Sequence, residues 1–258
     1  MLANLAAVWR YRDLVRSLVG RDLRVKYKGS TLGFGWSLLH PLVMAAVYTV
    51  AFRYVLQVRI ERFPVFLLSG LLPWMFMAGA LAQATGSVAD NGVLVRKVAF
   101  PRLVLPLGAV FSQFVQFALM YLVIVPGALL LGSAWTFAIV GVIPVMLLQL
   151  LFTVGLGLLT STAYVYFRDT RHLLDVGLQI WFWGTPVVYS LSLVPEPLAR
   201  LLLINPMTLF VTSYQQLVME ARMPSAATTL GMLASSVGAA IIGWSVFSRH
   251  QRRFAELV

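Results

Sequence analysis

"RDLRVKYKGSTLGFGWSLLHP", residues 21–41, sets four basic side chains within eight positions and then passes through three glycines into tryptophan and apolar sequence. Arg21, Arg24, Lys26 and Lys28 stand where the chain leaves water, and Gly29, Gly33 and Gly35 follow where it must turn. Cationic side chains just ahead of a long apolar stretch are the signal of a helix entering a bilayer from the cytoplasmic face. The whole composition agrees. Of 258 residues 60% are hydrophobic and only 11% charged, against about a quarter charged in a soluble domain, and the mean hydropathy is +0.85. The expected fold class is therefore an all-α integral membrane protein. Net charge is +11, but the cations gather at the ends of apolar stretches and form no continuous stripe, so no nucleic-acid partner is expected. The absence of cysteine excludes disulfides and thiolate metal sites. Arg10, Arg12 and Arg16 are followed by no apolar core with a small-residue cleavage site, so no signal peptide is expected.

A helix needs roughly 20 mostly apolar residues to cross about 30 Å of hydrocarbon. Six stretches qualify: about 34–56, 64–89, 103–131, 136–167, 173–194 and 226–247. The apolar segment 197–222 is interrupted by Arg200, the Asn205-Pro206 pair and the polar run Ser213 to Gln216. With six spans both termini share one face, and that face collects fifteen of the twenty Arg and Lys residues. The bias places the termini in the cytoplasm. A seventh span would carry Arg249, Arg252 and Arg253 to the other side, so 197–222 reads as short helices dipping into the outer face and broken at Asn205-Pro206.

Projected at about 100° per residue, residues 2–25 place Leu5, Val8, Val15, Leu18 and Val19 on one face and Arg10, Asp13, Arg21 and Arg24 on the other. Trp9 and Arg12 sit on the borders. This pattern predicts an amphipathic helix lying in the interface of the cytoplasmic leaflet. Two short cytoplasmic segments separate long helices, "DNGVLVRKVAFPR" at 90–102 and "YFRDTRHLLD" at 166–175. The first mixes Val93, Leu94, Val98 and Phe100 with Arg96, Lys97 and Arg102, a pattern open to three readings: a short helix pressed on another protein, a solvated loop, or a contact with anionic lipid.

All nine acids, from Asp13 to Glu256, fall at helix ends or in loops, which disfavours coupling to protons or sodium ions inside the spans. A nucleotide-binding P-loop needs a Lys before Ser or Thr, and Lys26, Lys28 and Lys97 precede Tyr, Gly and Val. Any ATPase must be a partner chain. His40, His172 and His250 are too scattered to argue a metal site, and His40 is expected to be packed between helices. Trp74 and Phe76 in the second stretch, Phe111, Phe114, Phe117 and Tyr121 in the third, and Trp181, Phe182, Trp183 and Tyr189 in the fifth serve either as lipid-facing packing or as rings on which sugars slide. Gly231, Ser235, Ala239 and Gly243, spaced by four, predict a close helix contact within the chain or between two copies.

Taken in order, the basic residues with "YKGSTLGFGWSLLHPL", then "RKVAFPR", "YFRDTRH", "WFWGTPVVY" and "INPMTLFV" resemble the integral-membrane subunit of bacterial ABC exporters for polysaccharides and polyol phosphates. The resemblance covers nearly the whole chain. It implies a six-span permease of the bacterial inner membrane, working as a homodimer with two copies of a separate ATPase that binds ATP and Mg, with no cofactor in this chain. By position, residues 2–28 correspond to an interfacial helix, 90–102 and 166–175 to cytoplasmic coupling helices, and 197–222 to re-entrant helices that gate the periplasmic end. Its substrate is implied to be a lipid-linked polysaccharide, O-antigen foremost, with capsule or wall teichoic acid as alternatives. A small-molecule or drug exporter and a membrane-embedded lipid-linked glycosyl transferase are the competing readings.

In that frame Arg21, Arg24, Lys26 and Lys28 are expected at the pyrophosphate and lipid headgroups, each worth on the order of 1 kcal/mol near an anionic surface. Trp181, Phe182, Trp183, Tyr189, Trp74 and Phe76 are expected to line the path. Arg96, Lys97, Phe100 and Arg102, with Arg168, Asp169, Arg171 and His172, are expected to meet the ATPase. No catalytic or metal-binding residue is assigned. A cluster of Asp90, Asp169 and Asp175 would favour the transferase.

Overall fold

The computed structural model describes residues 11–31, 33, 35–57, 60–97, 100–130 and 137–258. Leu5, Val8, Trp9 and Arg10 of the expected interfacial helix lie outside the described residues, as do Val98 and the side chains of Arg12 and Lys26. Helix α1 (Arg12–Tyr27) carries the first basic residues. Its apolar face is not left wholly to lipid: Leu14, Val15 and Leu18 pack into a cluster with Leu103, Val104 and Leu107. The chain then turns at Gly29 (φ +76°) and Gly33 (φ +50°), conformations that glycine adopts without a Cβ clash. Helix α2 (Gly35–Thr49) follows and continues as a π-helical turn, Val50–Val55.

Helix α3 (Phe63–Gly86) is opened by Pro64 in its first turn, where a missing N–H costs nothing. It is apolar on all sides and buried on all sides, with Phe63, Leu67, Met77, Ala80 and Ala84 fully enclosed. The others gather around it: α4 (Gly92–Lys97), α5 (Val104–Leu130), α6 (Val142–Tyr166), α7 (Thr170–Trp183), α8 (Glu196–Leu202), α9 (Pro206–Gln215, extended by a π-helical turn to Glu220), α10 (Ala226–His250) and α11 (Phe254–Leu257). Five of the described helices have the length and apolarity to cross a membrane: α2 with its π turn, α3, α5, α6 and α10.

The tightest pair is α6 with α10. A Cβ on Gly155 would run into the Ala239 carbonyl, and one on Gly243 would run into the Gly155 backbone. Ser236 Oγ also donates to the Leu148 carbonyl at 2.8 Å, joining the same two helices. The expected small-residue contact thus falls within the chain at Ala239 and Gly243, while Gly231 faces Leu209 of α9.

The fifth expected stretch, 173–194, takes a different form. Helix α7 has 14 residues, about 21 Å at 1.5 Å each, and ends at Gly184. Thr185 precedes Pro186, a position biased away from helix, and Pro186 has no N–H to offer Phe182. Thr185, Pro186, Val187 and Val188 are nonetheless buried, as irregular backbone at membrane depth must be. The segment 166–175 likewise holds no separate helix: Phe167–Asp169 bend, and Thr170 opens α7 itself. In 197–222 the chain breaks between α8 and α9 at Asn205-Pro206, where the sequence places it.

Candidate functional site

Along the basic arm, Arg21, Arg24 and Lys28 are exposed. Arg21 pairs with neighbouring Asp22 at 3.2 Å, and Arg24 Nε donates to its own helix at the Gly20 carbonyl, 3.1 Å away. Asp22 points inward: its carboxylate accepts from Gln83 Nε2 of α3 at 3.0 Å. Gln83 Oε1 in turn accepts from Gln113 Nε2 of α5 at 2.9 Å and from Ser112 Oγ at 3.3 Å. The chain of bonds ties the basic helix to two spans.

The aromatic residues separate into two groups. Trp74 of α3 meets Trp181 (6.1 Å between centroids) and Phe182 (5.5 Å) of α7 edge to face, and Phe182 continues to Trp183 and to Tyr48 of α2. Tyr189 joins through its hydroxyl, which donates to the Trp183 carbonyl at 2.9 Å. Trp183 is exposed and Trp74 buried. Phe76 belongs elsewhere, stacked on Phe117 of α5 at 5.0 Å and 7°. Two positions apart on a helix, Trp74 and Phe76 point to different sides.

Two polar knots hold the irregular parts. Asn205 caps α9 by accepting from the Met207 N–H, accepts from Trp181 Nε1 at 2.8 Å, and donates to the Gly184 carbonyl and Thr185 Oγ1. Gln215 Nε2 donates to the Pro186 carbonyl at 3.0 Å. These bonds satisfy the unwound backbone after α7. The second knot surrounds Pro73 inside α3, which has no N–H to give the Ser69 carbonyl four residues back. Tyr121 of α5 supplies the missing donor at 2.8 Å. Gln149 of α6 donates to the Pro73 carbonyl at 2.8 Å, and Tyr214 of α9 donates to Gln149 Oε1 at 2.9 Å.

At the end carrying α1, α4 and α11, Arg96 and Lys97 are exposed, and Phe100 packs against the cluster that holds Leu18, Leu103 and Val104. Arg102 donates to the Gln251 carbonyl, fixing the segment after α4 to the tail of α10. Arg171 forms an ion pair with Asp90 at 2.7 Å, linking the two segments that sequence marks for coupling. The hydrogen bond to Asp90 raises the Arg171 pKa further above its ordinary value. Arg168 and Arg171 both lie over the Tyr164 ring, at 5.1 and 4.8 Å. Gly86 makes room for the pair, since a Cβ there would strike both Arg171 Nη2 and Asp90 Oδ2. Asp169 and His172 are exposed beside it. Among the described residues no three His, Asp or Glu side chains come together as a metal site would require, and Asp90 is engaged with Arg171.

Four of the amides are not marked in the sequence: Gln83, Gln113, Gln116 and Gln149 carry no charge, so hydropathy and charge counts leave them out, although a polar group at membrane depth is itself a signal. Asn205 and Gln215 are marked there only as interruptions of 197–222, with no partner indicated. His40, expected between packed helices, is exposed on α2 and borders two cavities.

Spanning-length apolar helices free of acids, unwound backbone clamped by amides, and short basic segments at one end define a multi-pass permease subunit. The chain belongs to the ABC-2 type transporter family, matched over residues 13–219. It is 35% identical to the O-antigen export system permease protein RfbA of Myxococcus xanthus, with all of both chains covered. Identity is 30% to a protein of the same name from Klebsiella pneumoniae, over 95% of each chain. The polysialic acid transport protein KpsM of Escherichia coli is 24% identical over 80% of this chain and 81% of its own length.

Proposed function

We propose that the chain is the membrane-spanning subunit of an ATP-driven exporter that moves a lipid-linked polysaccharide, an O-antigen, across the bacterial inner membrane. The observation that carries this reading is the end-to-end likeness to a permease named for O-antigen export. Two copies act with two ATPase subunits, which hold ATP and Mg. Support for the dimer comes from α2 and α7. Both leave most of their surface uncovered, with Leu42, Val43, Val47, Leu173, Val176 and Ile180 exposed. Polar His40 and Gln179 lie exposed on the same two helices, and polar side chains at membrane depth face a partner or a water-filled path in preference to lipid.

The basic arm holds the anionic pyrophosphate at headgroup level, and the rings of Trp74, Trp181, Phe182 and Trp183 border the path of the glycan. The α4 segment and the first turn of α7 receive the ATPase stroke, with Arg171–Asp90 keeping them together. Helices α8 and α9 close the outer end, and both termini are cytoplasmic.

The test is reconstitution of the permease with its ATPase in vesicles, followed by ATP-dependent transfer of an undecaprenyl-diphosphate-linked glycan. ATP hydrolysis that neither responds to the glycolipid nor moves it would overturn the reading. Because the chain has no cysteine, single cysteines at Lys97 and Arg200 report sidedness directly, the first protected from external reagent and the second open to it.

A further inference from the structure

Alongside α2, against α3 and α5, lies a cleft of about 550 Å3, within the range of about 300–1,000 Å3 typical of small-molecule sites. Its floor is the stacked pair Phe76 and Phe117, and its rim carries Trp36, His40, Gln113 and Gln116. We infer that this cleft is a saccharide-binding site, taking a sugar unit of the lipid-linked glycan during its passage. The inference rests on the exporter reading above and adds to it a place and a set of contacts.

Three observations converge. The first is chemical character: the described lining holds no carboxylate, lysine or arginine, so it suits a neutral occupant, while amides and imidazole offer donors and acceptors to hydroxyl groups. The exposed Trp36 ring, beside the buried Phe76 and Phe117, gives an apolar wall that suits the apolar face of a pyranose. The second is depth. Gln113 and Gln116 lie well inside α5, roughly 14 and 18 Å from its start at about 1.5 Å per residue, a level at which polar side chains face the protein interior or a water-filled cavity in preference to lipid. Gln113 spends one amide hydrogen on Gln83. Among the described residues its carbonyl oxygen accepts from no donor, which leaves that oxygen and a second hydrogen for an occupant.

The third is continuity. A neighbouring cavity of about 590 Å3 shares Gln113 and Gln116 and opens onto Arg21, Asp22 and Val25 of α1. An anion held at Arg21 and Arg24 therefore has its first sugars directed along Gln83 and Gln113 toward the stacked rings. The Asp22–Gln83–Gln113 bonds pre-orient the amide at the meeting point of the two cavities.

The permease–ATPase complex in vesicles of phosphatidylethanolamine and phosphatidylglycerol is titrated with two probes, an undecaprenyl-diphosphate-linked oligosaccharide and undecaprenyl diphosphate without sugar. Gln113→Leu with Gln116→Leu is expected to weaken glycolipid binding about tenfold, the scale of lost hydrogen bonds, with binding of the sugarless lipid unchanged. Met120→Trp, which fills the cleft from its lining and removes no polar group, is expected to do the same and decides the matter should the double variant not fold. Equal loss of both probes would make the cleft a general lipid groove and overturn the inference, as would unchanged glycolipid binding. If the unaltered complex does not prefer the glycolipid over the sugarless lipid, the exporter reading itself fails, and the inference with it.

Discussion

Replacing Gly155 by alanine tests the packing that joins α6 to α10. The added methyl would press on the Ala239 carbonyl and stand 2.5 Å from the Ala240 nitrogen, roughly 1 Å inside the contact distance of about 3.5 Å at which carbon atoms attract. The obstructing atoms are backbone, so no rotamer change relieves them and the helices must separate. Overpacking of this kind costs about 1–3 kcal/mol. A gap of up to about 1 Å along the interface also forfeits a quarter to a half of the dispersion in each contact there. The expected cost is therefore at the upper end, about 3 kcal/mol. Gly243→Ala meets the same contact from the other side, where the methyl would lie 2.8 Å from the Gly155 carbonyl carbon and 3.0 Å from its Cα. The two changes are expected to be sub-additive, because either one already parts the helices. Gly238→Ala is the control on the same helix, with nothing within 4 Å of its added methyl. The assay is the midpoint of heat-induced loss of the monodisperse peak in detergent, with export in cells as a second reading. Stability of Gly155→Ala equal to that of Gly238→Ala would refute the backbone contact.

Asp90→Asn and Arg171→Gln are each expected to change stability by only about 0.5 kcal/mol, since the pair is half exposed, yet to lower transport per ATP hydrolysed. Exchanging the two charges should recover part of that loss; full transport in both single variants would exclude the pair from coupling. Tyr121→Phe leaves the Ser69 carbonyl without its donor, a cost of about 1–3 kcal/mol; a melting midpoint equal to the parent protein would show that the carbonyl finds another partner. Asn205→Asp keeps the cap on α9 but presents carboxylate oxygen to the Gly184 carbonyl, so it is expected to destabilise as much as Asn205→Ala, and a milder effect in the melting assay would mean the cap alone matters.

Five of the six expected spans, the basic arm and the break at Asn205-Pro206 are legible in sequence because each rests on a local cause: length, charge at helix ends, and the missing donor of proline. The end of α7 carries its signal too, in Gly184-Thr185-Pro186, but the apolar run through Val187 and Val188 hides it. Those residues are apolar because they are enclosed beside α3 and α9, and hydropathy does not separate burial in protein from burial in lipid. The small-residue stripe predicts close packing while leaving its partner open; the partner is Gly155, whose own sequence neighbourhood says nothing of α10. The amide line is the least legible part. Asp22, Gln83 and Gln113 come from three helices, and only the packing of α1 across α3 and α5 brings them into one chain of bonds.

Pro73 also bears on the order in which the molecule can be assembled. Helix α3 is synthesised before the residues that complete it, and Tyr121 lies 52 positions after the Ser69 carbonyl it serves. At about 5–20 residues per second that is a wait of roughly 3 to 10 s, during which α3 holds a backbone acceptor without an internal partner. In hydrocarbon such a group costs several kcal/mol. The nascent helix is therefore best retained at the insertion machinery, or beside water, until α5 and α6 emerge to close over it. A chain truncated between α3 and α5 is expected to leave the bilayer or be degraded far faster than one truncated after α6.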